Sequence, residues 1–165
     1  MYQFKILLSS TITILFNLLF ISKLYALGIN DLKIQKLYDF EYAWGMDLID
    51  NENLLVSEKK GVLYIYNFSN GKIEGKETFN DVLSKRQGGL LDIIFVKGKE
   101  KKYVFSCYQN LDSDLIISRH ELKNFKFFNK KIIFSSNYKS KIGVHFGCRF
   151  INYKNNILFS IGDRG

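Results

Sequence analysis

One unit recurs three times along this chain. Leu54-Leu55-Val56-Ser57, Tyr103-Val104-Phe105-Ser106 and Ile157-Leu158-Phe159-Ser160 each set three apolar residues ahead of a serine. Each follows an apolar run that opens on glycine, at Gly45, Gly89 and Gly147. A period of about 50 residues, built only from short strand-like runs, marks a radial repeat whose units cannot bury their inner faces alone. The expected fold class is therefore all-β, a β-propeller. The repeats amount to about two and a half blades, while such rings typically close with four or more. On this reading the chain is the front part of a larger protein.

Composition narrows the class. A chain with 47% hydrophobic and 16% aromatic residues is globular rather than disordered. The net charge of +8 comes from 24 Lys and Arg against 16 acids. The lysines are scattered through turns, so no basic stripe of the kind that tracks nucleic acid is expected. At the amino terminus Lys5 precedes an apolar run, 6–21, and then Ser22-Lys23-Leu24-Tyr25-Ala26. That order is the order of a secretory signal, with cleavage expected after Ala26. A membrane anchor results only if the leader stays uncleaved, since the run is shorter than the ~20 residues of a spanning helix. The expected division is a signal segment, 1–26, and an incomplete propeller, 27–165, in a periplasmic or secreted protein. Cys107 and Cys148 suit such a compartment, but their spacing neither makes a metal or redox motif nor decides whether they pair.

Strands are expected at 41–50, 54–58 and 62–67, then at 90–96, 103–108, 115–122 and 131–135, and in a third unit at 143–150 and 157–161. Turn residues separate them. The polar stretch 72–86 reads as a crossing between the first two blades. Two such crossings end in a polar residue flanked by glycines immediately before an innermost strand, at the rim of the central channel. One is Gln87, in Arg86-Gln87-Gly88-Gly89-Leu90-Leu91-Asp92; the other is His145, in Gly143-Val144-His145-Phe146-Gly147-Cys148-Arg149-Phe150. Equivalent placement in successive blades would converge them. Asp92 and Asp163 read as partners of backbone groups, and His120, on an expected outer strand, as structural. Cys148 lies too close to His145 along a strand start to form an activated pair.

At these residues the chain resembles the soluble pyrroloquinoline-quinone (PQQ)-dependent sugar dehydrogenases, including the aldose and glucose/sorbosone branches. The matching pieces are Trp44-Gly45-Met46, Leu55-Val56-Ser57-Glu58, Gln87-Gly88-Gly89-Leu90-Leu91-Asp92, His145-Phe146-Gly147 with Arg149, and Ile161-Gly162-Asp163-Arg164-Gly165. They stand in family order from residue 41 onward. The resemblance implies a six-bladed propeller and oxidation of an aldose to a lactone. His145 would take the proton of the anomeric hydroxyl while hydride passes to the quinone, and Gln87 would be its cofactor-side neighbour. Imidazole suits the role because it can be neutral and basic near physiological pH, and an amide can hydrogen-bond without competing for the proton. The resemblance also implies Ca2+, held by ligands in later blades, and a separate electron acceptor. Val144 and Cys148 depart from the family pattern, which carries a polar residue and a glycine there. The alternative is a non-enzymatic propeller that binds a sugar or a protein partner.

Overall fold

The computed structural model describes residues 32–139 and 142–163. The leader expected at 1–26 lies outside the described residues, as does Arg164-Gly165 of the last motif. Contacts divide the chain into two units, Met1–Lys36 and Leu37–Gly165. Residues 32–36 of the first carry no regular structure. The second holds every strand among the described residues, and no described residue is helical.

The strands run β1 (Ala43–Leu48), β2 (Asn53–Glu58), β3 (Val62–Asn67), β4 (Lys72–Thr78), β5 (Leu90–Lys97), β6 (Lys102–Gln109), β7 (Leu115–Lys123), β8 (Lys126–Ser135), β9 (Gly147–Tyr153) and β10 (Asn156–Ile161). Strands β1 to β4 form one antiparallel sheet in sequence order, and β5 to β8 a second. The β9-β10 hairpin begins a third. This is the up-and-down blade of a β-propeller, twice complete and once half built.

The largest differences from expectation fall at β4, β8 and β9. Strand β4 occupies the first part of what read as a crossing. An outermost strand tolerates polar residues because water covers it, and its burial alternates with Gly75 inward. Strand β8 starts five residues earlier than expected for the same reason: its residues 126–130 are mostly exposed. Strand β9 starts at Gly147 and not at residue 143, because the backbone before it is left-handed at Gly143 (φ 70°) and His145 (54°). Extended pairing cannot run through such positions.

Two apolar layers hold the blades together. Leu55, Leu63 and Ile65 of the first sheet pack on Leu90, Ile93, Val104 and Tyr108 of the second, with Phe79 of the crossing between them. Leu91, Cys107, Leu115 and Ile117 on the other face of the second sheet meet Phe146 and Cys148 of the third. Strand β5 faces both layers, which is why 90–94 is continuously apolar save for Asp92. Cys107 and Cys148 form a disulfide across the second layer, with Cα atoms 6.1 Å apart. Around the inner wall, carboxylates clasp one blade to the next. Asp47 accepts a hydrogen bond from the Phe95 amide at 2.7 Å, and Asp92 accepts one from the Phe150 amide at 2.8 Å. Burial raises the Asp92 carboxyl above the usual carboxylate range despite those contacts.

His120 on β7 is a packing residue, 2% exposed, with its ring against Phe79 and Phe127 at 5.2 and 6.0 Å between centroids. Neither ring nitrogen has a hydrogen-bond partner. Burial, helped by the Lys130 ammonium, pushes its pKa down to about 4. The neutral ring's contribution is whole above pH ~6.5, where the unfolded chain is also neutral. It drains away as pH falls from about 6.5 to 4, because the unfolded chain takes the proton first. His120→Leu is expected to remove about 3 kcal/mol of the stability lost between pH 7 and pH 4. Urea midpoints at the two pH values check this; a variant as acid-sensitive as the parent would clear His120.

Candidate active site

The structure brings Gln87 and His145 together. Gln87 closes the crossing that leads into β5, and His145 lies in the loop that leads into β9. The backbone amide of His145 donates to Gln87 Oε1 at 2.8 Å. In return the Gln87 amide donates to the Gly143 carbonyl at 3.2 Å, and Arg86 Nη1 donates to the Ile142 carbonyl at 3.0 Å. Gln87 therefore touches the loop that carries the imidazole rather than the imidazole itself.

The partner of the ring is Asp163. His145 Nδ1 and Asp163 Oδ1 are 2.9 Å apart. The carboxylate arrives because the β9-β10 hairpin folds the chain back on itself: Gly147 pairs with Ile161, and two residues further out on each arm lie His145 and Asp163. The Gly162 amide donates to the Phe146 carbonyl at 3.0 Å. A Cβ on Gly162 would stand 1.9 Å from the His145 carbonyl oxygen, so only glycine lets the two arms meet. A carboxylate on Nδ1 holds the proton there and turns Nε2 into the bare acceptor. Nε2 has no protein partner among the described residues, and the side chain is 55% exposed. The arrangement can accept one proton from a bound hydroxyl.

Asp163 had read as a partner of backbone groups only. The hairpin with its turn at 154–155 was the signal that could have placed it. A second missed residue is Lys59, whose ammonium donates to the Arg86 carbonyl at 2.5 Å and stands over the rings of Tyr42 and Trp44 at 5.2 and 5.4 Å. Its carbonyl accepts from the Leu90 amide at 3.0 Å. Lys59 thus holds both ends of the Gln87 loop. The loop presses so closely that a Cβ on Gly89 (φ 140°) would stand 2.4 Å from the Lys59 carbonyl oxygen. Behind His145, the disulfide fixes Cys148 to β6 and leaves it no thiolate, which closes the Cys-His possibility. Arg149 turns to Asp92, with 3.5 Å between Nη1 and Oδ1. Asp92 is the backbone partner expected, with an ion pair added.

One group here suits the edge of a quinone cofactor, the open imidazole nitrogen of His145; the Lys59 ammonium is taken up by the Arg86 carbonyl and the rings of Tyr42 and Trp44. These residues do not make a calcium site. Among the described residues no three His, Cys, Asp or Glu side chains gather around a common point.

Comparison with solved structures gives the same fold. The chain is similar to a glucose dehydrogenase at 20% identity and a TM-score of 0.61, covering 79% of this chain and 41% of that one. It is also similar to the soluble aldose sugar dehydrogenase of Escherichia coli, at 20% identity and a TM-score of 0.58, covering 74% and 38%. A putative oxidoreductase (glucose dehydrogenase) of Thermus thermophilus superposes at 15% identity and 0.58, covering 67% and 33%. The chain spans about two-fifths of the length of the first two. No curated protein matches it. Residues 40–165, from before β1 to the last residue, match the Glucose / Sorbosone dehydrogenase family. With that match over the blades and the loops just described, the chain belongs to the glucose/sorbosone dehydrogenase family.

Proposed function

We propose that the protein containing this chain oxidises an aldose at its anomeric carbon to the lactone, with PQQ as the hydride acceptor and His145 as the general base. The observation that carries the reading is the His145–Asp163 contact at 2.9 Å, which leaves Nε2 open at the rim of the site. The sugar's anomeric O–H gives its proton to Nε2 as the C–H electron pair leaves as hydride and the C=O bond forms. Asp163 steadies the imidazolium that results. When bound, the quinone supplies the two-electron sink. Gln87 holds the His145 loop by accepting its amide, and its uncharged side-chain NH2 would be the group left to hydrogen-bond a bound cofactor. Calcium is assigned to none of the described residues.

Activity on this reading belongs to the closed ring, and the 165-residue chain alone is expected not to turn over. The test is aldose-dependent dye reduction with PQQ and calcium, run on this chain and on the longest protein that contains it. Turnover by the longer protein alone supports the proposal. Sugar binding without turnover in both favours a binding propeller, and turnover by the short chain overturns the need for the ring. Export belongs to the same proposal: the leader supports it, and the Cys107–Cys148 bridge suits an oxidising compartment. The mature amino terminus, read by mass, should begin at Leu27.

A further inference from the structure

A cavity of about 240 Å³ that neither Gln87 nor His145 lines lies beside Arg86 and Gly143. Its apolar walls are Leu83 and Ile142, and its polar groups are Lys85, Arg86, Gln109 and Ser113. No carboxylate among the described residues lines it.

Gln109 is the unusual member. It is 2% exposed, at the end of β6. Its backbone is fully used: the amide donates to Gly89, and the carbonyl accepts from Leu83. Its side-chain Oε1 is buried with no donor, pressed on Gly88 so tightly that a Cβ there would lie 1.6 Å away. The atom left for the cavity is Nε2, a donor. Lys85 contributes an ammonium, and Ser113 a hydroxyl. Arg86 spends one N–H on the Ile142 carbonyl and keeps the rest of its fork. Two cations, Lys85 and Arg86, line the same space as this donor.

We propose that this cavity binds a small oxyanion, either inorganic phosphate or the carboxylate of a sugar acid. No carboxylate among the described residues lines the space, so a neutral sugar would leave both cations without counter-charge. The volume lies below that of drug-sized sites and suits a tetrahedral anion or a short acid. A charge-assisted contact from guanidinium or ammonium to such an oxygen is about twice as strong as a neutral hydrogen bond.

The test is a titration of the 165-residue chain with sodium phosphate and with sodium gluconate, at constant ionic strength against chloride, followed by amide chemical shifts. Saturable shifts at Gln109 and Ser113 are expected. Lys85→Gln alone, and Gln109→Glu with its isosteric carboxylate, should each weaken binding by roughly tenfold or more, while circular dichroism stays that of the parent. Tighter phosphate identifies the free anion, and tighter gluconate identifies the sugar acid. Shifts no larger than those from chloride, or unchanged binding in both variants, overturn the proposal. It does not rest on the dehydrogenase reading, and His145→Ala should leave anion binding intact.

Discussion

His145→Ala is expected to lower aldose oxidation by about 10³-fold in kcat, the typical loss of a positioned general base. The longest protein containing the chain, loaded with PQQ and calcium, is the material for the dye assay. A fall in kcat with KM little changed is the expected pattern, because the proton moves only as the transition state forms. Asp163→Asn is the companion variant. Its amide can still lie beside Nδ1, but it cannot balance the imidazolium charge, so a loss of about 10²-fold is expected, smaller than that of the base itself. Full activity in His145→Ala would falsify the assignment and send the search for the base to another blade.

The second large effect concerns the bridge. The Cys107–Cys148 disulfide closes a loop of 41 residues in sequence and lies in the apolar layer between the second and third sheets. Removing it returns loop-closure entropy to the unfolded chain, at a cost of about 4 kcal/mol. Cys107→Ala with Cys148→Ala should therefore unfold at much lower urea, and the parent in strong reductant should follow the variant. Equal midpoints for oxidised parent and variant would mean that packing alone holds the third sheet. The bridge also fixes the exit of the His145 loop, whose backbone is left-handed at both His145 and Cys148. Proton exchange at the amides of 143–148 should rise in the variant before any global transition.

Much of the fold was legible because blades repeat and because strand alternation writes itself in apolar residues. β3 was placed to the residue, and the ends of β5, β6 and β7 within one position, where turn residues bracket strands rich in buried apolar positions. β4 was not. Its Lys72, Glu74 and Lys76 face water, and a solvated edge strand carries no signal that separates it from a loop. At the site, glycines flagged Gln87 and His145 through the backbone demands around them. Lys59 and Asp163 stayed hidden for different reasons. Lys59 works through a long side chain reaching a carbonyl 27 residues away, which no local pattern records. Asp163 was legible in principle, since the turn that predicts the β9-β10 hairpin also predicts which residues face each other beyond its ends. The disulfide required geometry that spacing does not contain.

His145, the proposed proton acceptor, and its partner Asp163 come from the two arms of one late hairpin, while the side chain that holds the loop comes from 58 residues earlier. A ribosome must therefore release the whole hairpin before any imidazole is correctly aimed. Nascent chains halted sooner would display a histidine with nothing to orient it, so translation itself withholds the chemistry until the scaffold around it has formed.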